Sequence, residues 1–189
     1  MARAGLTRER LAQAGAELAD EVGFDKVTLT AVARGFDVSV PSLYSHVTSS
    51  DDLKTLIALL ALDELAESLA AALAGRSGKQ ALAAFADVYR DYAVAHPGRY
   101  AATRLPLEPA TAAASAGPRH AQMTRAMLRE YSLTEVDETH AVRLLGSVVH
   151  GYVSLELAGG FSHSAPSAQE SWLRILDALD ALLRTWPTA

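Results

Sequence analysis

The chain has no cysteine, which excludes disulfides and thiolate metal sites and fits a reducing compartment. It also lacks a long uninterrupted apolar run. Ala61 to Ala74 is rich in alanine and leucine, but Asp63, Glu64 and Glu67 interrupt it, so no bilayer span is expected. Met1 to Arg10 carries three arginines with no apolar run behind them; an export signal is not expected, and a cytoplasmic location follows by default. Six histidines are present, yet none pair at the four-residue spacing that would put two imidazoles on one metal. A Gly-rich phosphate loop, a nucleophile elbow and a spaced acidic pair are equally missing. The composition therefore argues against an enzyme and calls for no metal or cofactor. Positive charge is short as well: the formal net charge is -5, and the first 54 residues hold six Lys and Arg against eight Asp and Glu. Bulk charge opposes non-specific attraction to a polyanion, so any such partner must be held by local arrangement.

What the sequence does have is apolar content and helical periodicity. Half of its 189 residues are hydrophobic, enough for one or two small domains with a real core. Strand-like alternation of useful length is absent, so the expected fold is all-α. Thr7 stands before a helix whose Leu11, Ala14, Gly15, Leu18, Ala19 and Val22 recur at helical spacing, with Gly23 at its end.

Residues 28 to 47 then read as two short helices joined by a tight turn. Thr28 and Ser39 are N-cap residues, whose side chains accept hydrogen bonds from first-turn amides. Leu29, Val32, Ala33 and Phe36 share a face of the first helix, and Leu43 and Val47, one turn apart on the second, would pack against it. Pro41 falls in the first turn, where a missing N–H costs nothing. Outside remain Val40, Ser42, Tyr44, Ser45 and His46, with no acidic side chain among them. Such a helix can enter a major groove, its leading residues at base edges and its hydroxyls and amides at phosphates. The plainer possibility is an ordinary helical hairpin whose Tyr and His merely face solvent. Arg3, Arg8 and Arg10 cluster on an N-terminal arm, available either for phosphate and minor-groove contacts or simply for solubility.

Downstream, Ser49 with Asp52 three residues on has the form of a capping box opening a long helix to about Ala74. Further helices are expected over Lys79–His96, briefly around Arg99–Arg104, and from Arg119 to Tyr131; residues 105–118 form a connection containing three prolines, with room for a helical turn. The last third holds two long helices, Thr134 to about Leu157 and Pro166 to about Trp186. In the second, Trp172, Leu176, Leu179, Leu183 and Trp186 step by four and three, the spacing of a helix seam. In the first, Ala141, Leu144, Val148 and Leu155 form one apolar row and Val142, Leu145, Val149 and Tyr152 another. One row can serve the chain's own core and the other a second copy, unless both are filled within a monomer.

The stretch from Val38 to Leu53, above all Leu43-Tyr44-x-His46, resembles the DNA-binding domain of the TetR family of transcriptional regulators, and Thr7 to Val27 fits that family's first helix. Two positions depart from the pattern: Asp37 stands at the turn position often held by Gly, and Ser50 replaces a commonly basic residue. Asp tolerates a left-handed turn, and Ser50 leaves Lys54 as the nearest cation. The resemblance implies that Thr28, Ser39, Ser42, Tyr44, His46 and Lys54 contact DNA, with Val40 and Pro41 facing bases. It implies domains at 1–52 and 53–189, the second binding ligand and forming dimers. Val148-Val-His-Gly-Tyr-Val-Ser-Leu-Glu-Leu157, with His96-Pro-Gly-Arg-Tyr100 upstream, is similar to the His-Gly signature of one TetR subgroup, Val149 standing where tryptophan usually precedes the pair. Gly151 inside a helix costs on the order of 1 kcal/mol relative to Ala, which close packing or a pocket wall would explain.

Tyr89, Tyr92, Tyr100, Met123, Met127, His150 and Tyr152, together with Glu156, could line an apolar ligand pocket or could be plain core. Val149, Tyr152, Trp172, Leu176, Leu179 and Leu183 are the expected dimer interface. The expectation is thus a homodimeric regulator, a repressor in its simplest form, with a near-palindromic operator and a small-molecule effector as partners and no membrane association. A helical small-molecule carrier that has lost DNA binding is the alternative.

Overall fold

Thr7 accepts a hydrogen bond from the Arg10 amide at 3.2 Å and opens α1 (Arg8–Val22), which Gly23 ends at φ 95°, a conformation only glycine adopts cheaply. The computed structural model describes residues 5–187, and all regular structure there is helical. A 3-10 turn at Phe24–Lys26 leads to α2 (Leu29–Gly35), and a second 3-10 segment, Val40–Leu43, follows. Then come α3 (Ser50–Leu73), α4 (Gly78–Ala95), α5 (Pro97–Ala102), α6 (Pro109–Ala114), α7 (Gly117–Leu128), α8 (Glu135–Leu157) and α9 (Ala168–Arg184). The three-proline connection thus contains a helical turn, as α6.

The chain divides into two compact units, one of residues 1–65 and 92–117, the other of 66–91 and 118–189. The first unit is larger than the 1–52 segment expected to carry the DNA contacts. Its core joins Leu11, Ala16 and Ala19 of α1 to Leu29 and Val32 of α2, to Leu43 and Val47, and to Leu53 and Ile57 of α3. Gly15 lets α3 come close, since a Cβ there would lie 2.6 Å from the Ile57 side chain. Gly98 brings α5 hard onto α1: a Cβ at Gly98 would sit 2.0 Å from the Ala19 backbone. Polar contacts fix the same junction. The Arg99 amide donates to Asp20 Oδ1 at 2.9 Å, the nearly buried Arg99 guanidinium meets Asp20 at 3.0 Å and Glu64 at 3.1 Å, and the Tyr92 hydroxyl donates to Glu64 at 2.7 Å.

In the second unit the α9 row Trp172, Leu176, Leu179 and Leu183 is buried, as are Ala141, Leu145, Val149, Tyr152 and Val153 of α8. The Trp172 indole donates to Asp87 at 2.7 Å. Ser167 and Glu170 form a complete capping box at the start of α9.

Candidate functional site

Two places carry chemistry: the surface around residues 39–46 in the first unit and a cavity in the second. The Thr28 hydroxyl oxygen accepts from the Ala31 amide at 3.2 Å and starts α2. At the turn Asp37 adopts φ 53°, the left-handed conformation its side chain tolerates. The segment beyond the turn differs from the α-helix expected there. It is a 3-10 turn over Val40–Leu43, continued by the bonds Tyr44 N to Pro41 O at 3.3 Å and His46 N to Leu43 O at 2.8 Å. Side chains explain the tightening. The Ser39 and Ser42 hydroxyls pair at 3.0 Å and the Ser45 hydroxyl donates to the Ser42 carbonyl at 3.0 Å, local bonds that compete with the α pattern. Leu43 and Val47 are buried and anchor the segment, while Ser39, Pro41, Ser42 and Ser45 are exposed and Val40 and His46 half-exposed; Tyr44 stands 56% exposed.

Arg8 sits behind this surface. Its guanidinium donates to the His46 carbonyl at 2.5 Å and to both Asp52 oxygens, at 2.9 and 3.3 Å. Asp52 in turn accepts from the Thr48 amide at 2.8 Å, and Ser49 accepts from the Asp52 amide at 3.0 Å. The expected capping box is therefore half made, its carboxylate reaching Thr48 instead of Ser49. The Arg8 hydrogen bond, with the Thr48 amide bond beside it, holds the Asp52 carboxyl below its ordinary range. Arg8 is thus committed to the fold rather than to a free arm. Arg10 lies over the Phe36 ring at 5.5 Å, the half-buried Lys54 ammonium lies over the Phe24 ring at the same distance, and Arg3 falls outside the described residues.

The expected ligand residues separate into three places. Tyr89 and His150 meet in a cavity of about 200 Å³, walled also by Phe85 of α4, His120 and Thr124 of α7, and Val142, Gly146 and Val149 of α8. The Tyr89 hydroxyl lies 3.2 Å from His120 Nδ1, and the Tyr89 and His150 rings meet edge to face with centroids 5.7 Å apart. Met123 and Met127 line a different, larger hollow of about 640 Å³ with Leu73, Arg76, Arg129 and Glu130. Tyr92, Tyr100 and Tyr152 reach neither. Tyr92 is bound to Glu64, and burial first, then that carboxylate, raises its pKa; burial pushes Tyr100 up to about 12. Tyr152 stacks near Phe161 and Trp172, at 4.8 and 5.0 Å, and donates to the Ala168 carbonyl. Glu156 pairs with Arg90 at 2.6 Å. Gly151 is exposed and lines neither hollow; the cavity glycine is Gly146. Sequence reading missed Phe85, His120, Thr124 and Gly146. Phe85 and Tyr89 one turn apart, and a second interior-helix glycine in α8, were the available signals.

Val149, Tyr152, Trp172, Leu176, Leu179 and Leu183, the residues expected at the dimer interface, are all buried within the chain itself. The apolar side chains left outside on these helices are Val136, Leu155, Leu157, Leu173 and Leu182. No helix among the described residues is long and apolar enough to cross a membrane.

A capped helix-turn segment with an acid-free outer face, in a chain whose described regular structure is all helical, fits a DNA reader of the helix-turn-helix class. Comparison with known proteins gives the family. Residues 82–179 match the model for the tetracycline repressor-like C-terminal domain. The chain is 36% identical over 160 residues to the uncharacterized HTH-type transcriptional regulator Rv0681 of Mycobacterium tuberculosis, covering 82% of this chain and 72% of that one. It is 29% identical over 184 residues to the HTH-type regulator YobS of Bacillus subtilis, covering 97% and 92%. Among solved structures, a TetR variant from Acinetobacter baumannii in complex with minocycline superposes with a TM-score of 0.73 at 19% identity, covering 98% of this chain and all of that one. The chain belongs to the TetR family and is a DNA-binding transcriptional regulator; a carrier without DNA binding is not favoured by these likenesses.

Proposed function

We propose that this chain is a repressor that grips a near-palindromic operator as a homodimer and lets go when a small molecule enters the cavity walled by Tyr89, His120 and His150. The observation that carries the reading is the outer face of residues 39–46: serine hydroxyls, Pro41 and an exposed Tyr44, without an acidic side chain, standing on the buried anchors Leu43 and Val47. Val40, Pro41 and Ser42 lead into the major groove toward base edges. Thr28, Ser39, Tyr44 and His46 reach phosphates, and Lys54 adds the nearest cation.

For the second copy, the α8 row Leu144, Val148, Gly151 and Leu155 steps by four, three and four along one helix face; Leu144 and Val148 are half-buried and Leu155 is exposed. The open space at Gly151 would let a partner helix approach closely. Leu182 of α9 adds an exposed side chain. Two subunits would set their reading segments one helical turn of DNA apart, and an effector that binds one state better than the other would shift them out of that spacing.

The test is selection of bound fragments from sheared source DNA by the purified protein at fixed salt, with Tyr44→Ala as control. A few sites sharing an inverted repeat, lost with the variant, are expected; no enrichment at any salt would contradict the reading.

A further inference from the structure

The wall of the 200 Å³ cavity contains no Asp, Glu, Lys or Arg. Its polar groups come from Tyr89, Thr124 and two histidines, and these already lean on one another. The Thr124 hydroxyl donates to the His120 carbonyl at 2.9 Å, and the Tyr89 hydroxyl faces His120 Nδ1 at 3.2 Å. Arg90 follows Tyr89 on α4, but its guanidinium is turned to Glu156 at 2.6 and 2.7 Å and to Gln169 at 2.5 Å. A carboxylate or ammonium entering this half-open space would give up part of its hydration and meet no fixed opposite charge in return, which is unfavourable for an ion. Tyrosine hydroxyls and imidazoles both donate and accept, so a neutral hydroxyl or carbonyl can be matched there. The rings of Phe85 and Tyr89 are tilted at 51° with centroids 4.9 Å apart, and that of His150 stands at 83° to Tyr89; aromatic guests favour such offset and edge-to-face neighbours. An apolar cavity of about 150 Å³ accepts benzene, so this one suits a single substituted ring.

From these features we infer that the cavity takes a small, neutral, planar ring compound bearing a hydroxyl or carbonyl group and rejects carboxylates and ammonium ions of the same size. The inference rests on the reading of this cavity as the effector site. Gly146 supplies the control. It lines the cavity, and a Cβ on it would meet nothing within 4 Å, so a larger side chain can grow into the space, and helix propensity rises on replacing glycine.

The experiment titrates the full-length protein at pH 7.5 with 4-methylphenol, 4-methylbenzoate and 4-methylbenzylamine, following the methyl NMR signals of Val142 and Val149. The phenol is expected to bind at least tenfold more tightly than either ion, and Gly146→Leu to abolish its binding. Gly146→Ala serves as the milder filling, and circular dichroism checks that both variants stay helical. An ion bound as tightly as the phenol, no binding by any of the three, or phenol binding unchanged in a folded Gly146→Leu would overturn the inference. DNA affinity measured separately tells the two claims apart. Phenol binding that leaves operator affinity unmoved would keep the ligand class and remove the effector role. Preferential benzoate binding that weakens DNA binding would do the reverse.

Discussion

Arg8 spends its guanidinium on the His46 carbonyl and both Asp52 oxygens, so one side chain ties the first helix to the end of the reading segment and the start of α3. The Asp52 carboxyl is held below its ordinary value by that contact. A depressed carboxylate adds stability above the unfolded-state value of about 3.8 and loses it as pH falls through the lower, folded-state value. Asp52→Asn should therefore flatten the loss of stability below about pH 4, by less than about 1 kcal/mol because Arg8 is half-exposed; urea unfolding at pH 7 and pH 3 checks this, and an unchanged acid limb would remove the pair from the account. Tyr44 behaves oppositely. With the residue 56% exposed, Tyr44→Ala should leave the unfolding free energy within about 0.5 kcal/mol. At this scale the caps Thr7 and Thr28 and the left-handed Asp37 were legible because local chemistry decides them. The fate of Arg8 was not, since its partners lie 38 and 44 residues away.

At the scale of elements, every helix outside the three-proline connection was visible in the spacing of apolar residues and the placement of Pro and Gly, but two details escaped. The segment after the turn closes as a 3-10 helix because serine hydroxyls outcompete the α pattern, a preference that apolar spacing cannot register. The α9 row was read correctly as a seam, yet spacing does not say whether its own core or a partner fills it, and here the core does. The reading segment depends on its buried anchor: Leu43→Ala should cost about 2–5 kcal/mol and take DNA binding with it, measured by denaturant unfolding beside a binding assay. Gly98→Ala should be equally damaging without touching any DNA-facing residue, because its methyl would press into the Ala19 backbone and force α5 off α1. A midpoint within error of the parent would mean that the junction is looser than its geometry.

For the molecule as a whole, residues 92–117 return to complete the first compact unit, an arrangement that a linear boundary at 52 could not express, since Asp20 meets Arg99 across 79 positions. The cavity was half legible. Tyr89 and His150 were named, while His120 arrives from α7 through folding that no local pattern announces. Burial of the α9 row also changes the expectation for assembly. Leu179→Glu and Leu183→Glu should unfold the second unit, whereas Leu155→Glu with Leu182→Glu should yield folded monomers in sedimentation; a dimer surviving the latter pair would move the interface elsewhere. With few cations near the reading segment, the salt dependence should be shallow, a log–log slope of no more than about 5 in magnitude.

The most direct test of the reading segment is the dissociation constant of the parent and of Tyr44→Ala for a selected inverted-repeat fragment and a scrambled one, at one salt concentration. The structure predicts tight, fragment-specific binding by the parent and a loss of roughly tenfold or more, about 1.4 kcal/mol, on both fragments with the variant, its helical content and subunit mass unchanged. Equal affinities of parent and variant for both fragments would contradict the assignment of residues 39–46 as the surface that reads DNA.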